Sequence, residues 1–188
     1  EPAQRLLQRS DNLSVLVVGG SLGAQVLNDV VPKALSLMGK AQRPRVIHQA
    51  GVKHIDALQA TYRAANVQAD VRPFIDDMAA AYRDCDLLIC RAGALTIAEI
   101  CAVGIASILI PFPHAVDDHQ TGNARFLSDV GAAILIAQQE LTPTRLADQI
   151  KRFTREQLTQ MATKARQLAK PDATEQVAKA CMELAHAA

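Results

Sequence analysis

The feature that most restricts this chain is a regular alternation of two kinds of apolar segment. Short apolar runs recur at Ser14–Val18, Arg45–Gln49, Ala69–Phe74, Asp86–Cys90, Ile105–Ile110 and Ala132–Ile136. Several are continuous, as strands covered on both faces require. Between them lie stretches of helical period at Ala24–Met38, Val52–Ala64, Asp77–Arg83, Leu95–Val103 and His119–Val130. In the first of these, Val26, Leu27, Val30, Val31, Ala34 and Leu35 fall on one side. Gly39, Gly104 and Gly131 read as helix stops. From Thr142 on the pattern is helical and polar on one side, with starts at Thr142-Pro143 and again after Pro171-Asp172. Such a series predicts an α/β chain, a Rossmann-like doubly wound parallel sheet with helices on both faces.

Composition narrows the function classes. The 188 residues suit one domain with a sizeable core. Aromatic residues make up 3% and Trp is absent, so that core must be aliphatic. A formal net charge of +1 lacks the basic excess of a nucleic-acid binder. Cys85, Cys90, Cys101 and Cys181 form no CxxC pair, and three of them lie inside apolar runs, which reads as free thiols of a reducing cytoplasm. No apolar run approaches the ~20 residues of a membrane span. The chain starts Glu1-Pro2, without Met or a signal peptide, so residues 1–12 are expected to be a linker remnant and 13–188 the domain.

The first strand runs into Gly19-Gly20-Ser21-Leu22-Gly23-Ala24 and then a helix. A loop at the carboxyl end of such a strand is where doubly wound sheets bind ligands. Its glycines let backbone N–H groups approach an anion, the helix start adds partial positive charge, and Ser21 adds a hydroxyl donor. Tight strand-to-helix turns also need glycine for steric reasons alone, and both readings stand. A nicotinamide fingerprint requires an acidic residue at the end of the second strand, yet no acid occurs from Val30 to Ile55. A nucleoside-triphosphate P-loop fails because no Lys-Ser/Thr pair follows the glycines.

A second glycine turn, Cys90-Arg91-Ala92-Gly93-Ala94-Leu95-Thr96-Ile97-Ala98-Glu99, leaves the fourth strand. Two such turns on the two halves of a sheet can place a diphosphate between two helix starts. Thr96 suits a cap or a phosphate donor. Glu99 has capping-box spacing from Thr96, and equally suits the two hydroxyls of a ribose. After the fifth strand comes Pro111-Phe112-Pro113-His114-Ala115-Val116-Asp117-Asp118-His119-Gln120-Thr121-Gly122-Asn123-Ala124. Asp117 and Asp118 stand where an N-cap belongs. His119, Gln120 and Asn123 both donate and accept, which fits a hydroxyl-rich ligand. The spacing of His114, Asp118 and His119 matches no compact zinc pattern. Asp84-Cys85-Asp86 has the form of a metal-binding DxD but sits at the wrong end of its strand. No metal and no cofactor are expected.

Taken together, VLVVGGSLGA (15–24), FIDDMAAA (74–81), CRAGALTIAEI (90–100) and PFPHAVDDHQTGNA (111–124) resemble the C-terminal domain of the MurG family of bacterial cell-wall glycosyltransferases. These stretches span about 110 residues in order, and R-x-G-A-x-T-x-x-E with D-D-H-Q-x-x-N-A is the specific part. The resemblance implies a GT-B architecture, in which this domain binds UDP-N-acetylglucosamine for metal-independent, inverting transfer to a lipid-linked muramoyl-pentapeptide in peptidoglycan synthesis. It implies that Ile75 holds uracil through its backbone and that Glu99 binds the ribose hydroxyls. Ser21, Leu95 and Thr96 would face the diphosphate beside the loop glycines Gly19, Gly20 and Gly23. Ala94 would line the pocket, and Gln120 would bind the sugar with His119 beside it. The acceptor-binding N-terminal domain, with the catalytic base, most of the membrane-facing patch and an arginine that frames uracil, would lie outside this chain. The complete enzyme would work at the cytoplasmic face of the inner membrane, and this chain alone would bind donor without turnover. Two alternatives are a UDP-N-acetylglucosamine 2-epimerase-like domain and a non-catalytic partner-binding module.

Overall fold

A computed structural model describes residues 1–6, 9, 11–20, 23–113, 115 and 118–186. Six strands form one wholly parallel sheet: β1 (Ser14–Val18), β2 (Arg45–Gln49), β3 (Asp70–Arg72), β4 (Leu87–Cys90), β5 (Ala106–Leu109) and β6 (Ala133–Leu135). Their order is β3-β2-β1-β4-β5-β6, so the chain reverses direction across the sheet between β1 and β4. A crevice opens at such a switch point beyond the carboxyl ends of the strands.

Helices α1 (Pro2–Leu6), α2 (Gln25–Ser36), α3 (Ile55–Ala64), α4 (Met78–Asp84), α5 (Ala94–Val103), α6 (His119–Ser128), α7 (Pro143–Arg152), α8 (Arg155–Gln167) and α9 (Ala173–His186) complete the fold. The two-residue period of the strands divides the core. Val15, Val17, Leu87, Ile89 and Ile108 pack with Leu27, Val31 and Leu35 of α2, Leu58 of α3 and Leu146 of α7. Leu16, Leu88, Cys90 and Leu109 pack on the other face with Tyr82 of α4, Ile97 and Ile100 of α5 and Leu127 of α6. α8 joins both layers, giving Leu158 and Met161 to the first and Ala165 to the second. Helix starts follow the expected chemistry where a side chain is free to cap. Asp77, Thr142 and Thr154 each accept a backbone N–H of the helix they precede.

Residues 1–12, expected as a linker, begin with α1, whose Pro2 and Leu6 are buried. Arg5 donates from its Nη1 to the Tyr82 carbonyl at 2.8 Å and also binds the Gly104 carbonyl, tying this segment to the last turn of α4 and the end of α5. α9, by contrast, is exposed along its length. Cys85, Cys90 and Cys101 are buried free thiols, and Cys181 is exposed. Burial pushes the Cys85 thiol up to about 12 and Cys90 higher still, so both stay protonated and unreactive.

β2 carries an acid-sensitive group. His48 is fully buried, with Nδ1 2.9 Å from the Tyr62 hydroxyl and no partner for Nε2. Burial pulls its pKa down to about 3. The folded value lies below the unfolded one, so the contribution is complete above about pH 6.5 and is lost as pH falls towards 3. Urea unfolding at pH 7 and pH 5 should therefore differ by about 2 kcal/mol through this group. His48→Asn should flatten that part of the profile. An unchanged profile in the variant would place the acid sensitivity elsewhere.

Candidate functional site

A cleft of about 550 Å³ occupies the switch point. Its walls are the loop after β1 (Gly19, Gly20, Gly23, Ala24), the start of α2, the turn after β4 (Arg91, Gly93, Thr96), and Phe112, Gln120 and Gln138. The two glycine turns that are separate in sequence thus face one crevice.

The glycines of the first loop do different work. A Cβ on Gly19 would stand 2.2 Å from the Ala24 nitrogen, so that residue is needed for strand-to-helix packing. Gly20 has φ +87 with nothing within 4 Å of a Cβ, so it gives the loop its left-handed turn while leaving open space beside it. Gln49, at the end of β2, donates from its Nε2 to the Gly20 carbonyl at 2.9 Å. That contact satisfies a loop acceptor. Asn28 of α2 donates to the Ala50 carbonyl at 3.2 Å and locks the helix start to the end of β2.

The helices that open on the cleft lack the caps seen elsewhere. Ala24 precedes α2 and Gly93 precedes α5, and neither supplies a side-chain acceptor. First-turn N–H groups have no acceptor within their own helix. Both helix starts therefore offer donors and partial positive charge to whatever enters.

Arg91 adds a full charge. Its Nη1 donates to the Ile110 and Pro111 carbonyls at 3.2 and 3.0 Å, and its Nη2 to Gln138 Oε1 at 2.6 Å. The guanidinium lies 5.3 Å from the Phe112 ring centroid. Among the described residues no carboxylate pairs with it. Burial accordingly lowers its pKa from the ordinary value, although a guanidinium stays charged. A half-buried cation held, among the described residues, by neutral acceptors beside two helix starts makes this crevice receptive to an anion.

The amides after β5 brace the second turn. Gln120 Oε1 accepts from the Ala92 and Phe112 N–H groups at 3.3 and 2.9 Å, and Asn123 Nδ2 donates to the Ala92 carbonyl at 3.0 Å. Together they clamp the Ala92 peptide from both sides. The Nε2 donors of Gln120 take no part in these contacts, and Gln120 lines the cleft.

The expected residues are not all placed alike. Gly19, Gly20, Gly23, Thr96 and Gln120 line the crevice. Ala94 and Leu95 are exposed on the first turn of α5, and His119 is exposed at the start of α6. Ile75 is buried in the loop before α4, packed with Tyr82 and Leu16. Ser21, His114 and Asp117 lie outside the described residues. Glu99 does not cap α5, because that helix already starts at Ala94 and both Thr96 and Glu99 sit within it. Glu99 is exposed, one turn beyond Thr96 on the same side of the helix, and its Oε2 accepts from the Tyr82 hydroxyl at 2.8 Å. Asp118 likewise makes no cap bond to α6 and accepts from the Thr121 hydroxyl at 2.6 Å instead. Arg91, Gln138, Gln49 and Tyr82 are the working parts that sequence reasoning did not single out. Arg91 was visible as the first residue of the R-x-G-A-x-T-x-x-E stretch, whereas the other three follow only from tertiary contacts.

Comparison with known proteins matches this geometry. Residues 14–177 match the glycosyltransferase family 28 C-terminal domain. A UDP-N-acetylglucosamine--N-acetylmuramyl-(pentapeptide) pyrophosphoryl-undecaprenol N-acetylglucosamine transferase of Dechloromonas aromatica is 60% identical over 184 residues, covering 98% of this chain and 52% of its own. The transferase of the same name from Azoarcus sp. is 64% identical over 184 residues, with the same coverage of both chains. The crystal structure of Acinetobacter baumannii MurG superposes with a TM-score of 0.90 at 44% identity, over 97% of this chain and 53% of that one. The chain thus spans about half the length of the curated relatives it matches.

Proposed function

The chain belongs to the glycosyltransferase family 28 C-terminal domain family, and from that premise we propose that it is the donor-binding half of an N-acetylglucosaminyltransferase. In the whole enzyme it holds UDP-N-acetylglucosamine, the sugar going to a lipid-linked muramoyl-pentapeptide at the cytoplasmic face of the membrane. The observation that carries the reading is that the starts of α2 and α5, neither capped by the side chain that precedes it, meet the cation Arg91, which pairs with no carboxylate among the described residues, in one crevice. A pyrophosphate fits that arrangement, because its charge meets fixed donors that need no reorganisation when the bond to the sugar breaks. In the reaction, a hydroxyl of the acceptor attacks the anomeric carbon and UDP departs from the opposite side. The leaving diphosphate gains a full negative charge, and the donors of Gly20, Thr96 and the helix starts stabilise it. Glu99 takes the ribose hydroxyls, Ile75 the uracil, and Nε2 of Gln120 a sugar hydroxyl, with Ser21, Ala94, Leu95 and His119 around the same ligand. The catalytic base comes from outside the residues of this chain. Among the described residues no helix is long and apolar enough to cross a membrane. The names of the relatives favour transfer over epimerisation.

Calorimetry of UDP-N-acetylglucosamine against this chain is the direct test. Binding heat with a millimolar or tighter Kd is expected, with no release of UDP in the absence of acceptor. Glu99→Ala should weaken binding about tenfold, as loss of hydrogen bonds to a charged acceptor predicts, without lowering the melting temperature. A folded chain that gives no heat at millimolar ligand would sink the proposal.

A further inference from the structure

We propose that Tyr82 is a positioning residue for Glu99, fixing that carboxylate for a ribose diol and thereby setting a preference for ribonucleotides over 2′-deoxyribonucleotides. The inference rests on the reading of Glu99 given above and adds to it the residue that makes the carboxylate selective.

An exposed glutamate on a helix ordinarily samples many rotamers, and ordering one on a ligand carries an entropic penalty. Glu99 is different. Its Oε2 accepts from a hydroxyl reaching across from another helix, α4, 17 residues earlier in the chain. Tyr82 is 4% exposed and belongs to the core cluster that also holds Ile75, Leu88, Ile97 and Ile100. Its backbone carbonyl is held by Arg5, and its helix is capped by Asp77. The donor is therefore a rigid part of the core rather than a second mobile side chain. Burial, and then the contact with Glu99, raise the phenol's pKa far above the physiological range, so it keeps its proton and always donates. Among the described residues no Lys or Arg pairs with Glu99 and pulls it elsewhere.

The acceptor arithmetic leaves room for a diol. A carboxylate has about four lone-pair sites, and Tyr82 uses one on Oε2. Oε1 and the remaining site on Oε2 are left to accept from two neighbouring hydroxyl donors, as the 2′ and 3′ groups of a ribose would supply. Ile75, in the loop before α4, is buried in the same core cluster as Tyr82, so the layer that fixes this loop also fixes the residue that holds the carboxylate. A 2′-deoxy sugar would leave half of this prepared acceptor unused.

The test is a set of Kd values for UDP and 2′-deoxy-UDP with the wild-type chain, Tyr82→Phe, Glu99→Ala and the double variant. The wild type should prefer UDP. Tyr82→Phe should raise the Kd for UDP about tenfold and that for 2′-deoxy-UDP less than about threefold, narrowing the preference. Glu99→Ala should abolish the preference, and adding Tyr82→Phe to it should change nothing further. Equal weakening of both ligands by Tyr82→Phe, or additive effects in the double variant, would show that the hydroxyl is merely structural and overturn the inference while leaving the donor-site reading intact. If instead Glu99→Ala binds UDP as tightly as wild type, the ribose role of Glu99 is wrong and both readings fall. Tyr82→Phe removes only a hydroxyl whose partner is exposed, and its melting temperature should stay near wild type. Should it not fold, Glu99→Asp, too short to reach Tyr82, must show the same narrowing or the inference fails.

Discussion

Asp86→Ala should lower the free energy of unfolding by about 3–5 kcal/mol, the usual result of removing one member of a buried charge network. Asp86 is 1% exposed at the amino end of β4. Its Oδ1 accepts from Arg9 at 2.7 Å, and its Oδ2 accepts from the Ser14 N–H at 2.8 Å and faces Arg155 at 3.1 Å. Arg9 lies 22% exposed and Arg155 19%, so neither charge would be well solvated once the carboxylate was gone. The same Arg9 also donates to the carbonyls of Arg83 and Asp84. Asp86 and Arg9 together therefore join the segment before β1, the end of α4, the first residue of β1 and the start of α8. The pair Arg72–Asp70 is a natural control. Both partners are about half exposed, so Asp70→Ala should change stability by no more than about 1 kcal/mol. Urea unfolding of the two variants decides the matter, since equal losses would mean that the network holds nothing together.

Asp86 also shows where sequence reading reaches its limit. Within Asp84-Cys85-Asp86, the spacing allowed a metal motif or an ordinary helix end. Only the arrival of Arg9 and Arg155 from distant parts of the chain shows that the carboxylate is consumed by the fold. The strands were legible because apolar runs buried on both faces need no partner to be recognised. Their ends were less so: Ala69–Phe74 shrinks to Asp70–Arg72, because pairing with β2 extends only from Ile47 to Gln49. Gly39 is not the left-handed stop it suggested. Its φ is −57, and α2 ends at Ser36. There Arg43 donates to the Ser36 and Met38 carbonyls, satisfying groups that a glycine turn would otherwise have handled. Gly104 and Gly131, with φ of +71 and +70, do end helices as read. α1 was missed because five residues are too few for a period, and its burial depends on α8. In the site, composition and glycine spacing were enough to locate both turns. The Tyr82–Glu99 and Arg91–Gln138 contacts join positions whose sequence separation carries no signal.

The glycine loop yields the second large effect, because two of its residues should fail in opposite ways. Gly23 has φ +75, and a Cβ there would stand 2.1 Å from the Ala50 oxygen and 2.9 Å from the Ala50 carbon. That backbone has little freedom to retreat. The Ala50 N–H donates to the Arg72 carbonyl at 2.8 Å, and its carbonyl accepts from Asn28. Gly23→Ala must therefore displace the loop or the end of β2. The expected loss is about 2–5 kcal/mol of stability, combining overpacking with a left-handed alanine. Gly20→Ala meets nothing within 4 Å and carries only the conformational part, about 1–2 kcal/mol. Its added methyl would nevertheless project into open space where the loop borders the cleft, so the folded variant should bind UDP at least about tenfold more weakly, the diphosphate being held further from the loop amides. Thermal melts and UDP titrations on the two variants separate the roles. If Gly23→Ala were as stable as Gly20→Ala, the close approach to Ala50 would not be a constraint on the fold. If Gly20→Ala bound UDP like the wild type, the loop would serve packing alone, and the anion would have to be sought at the start of α5.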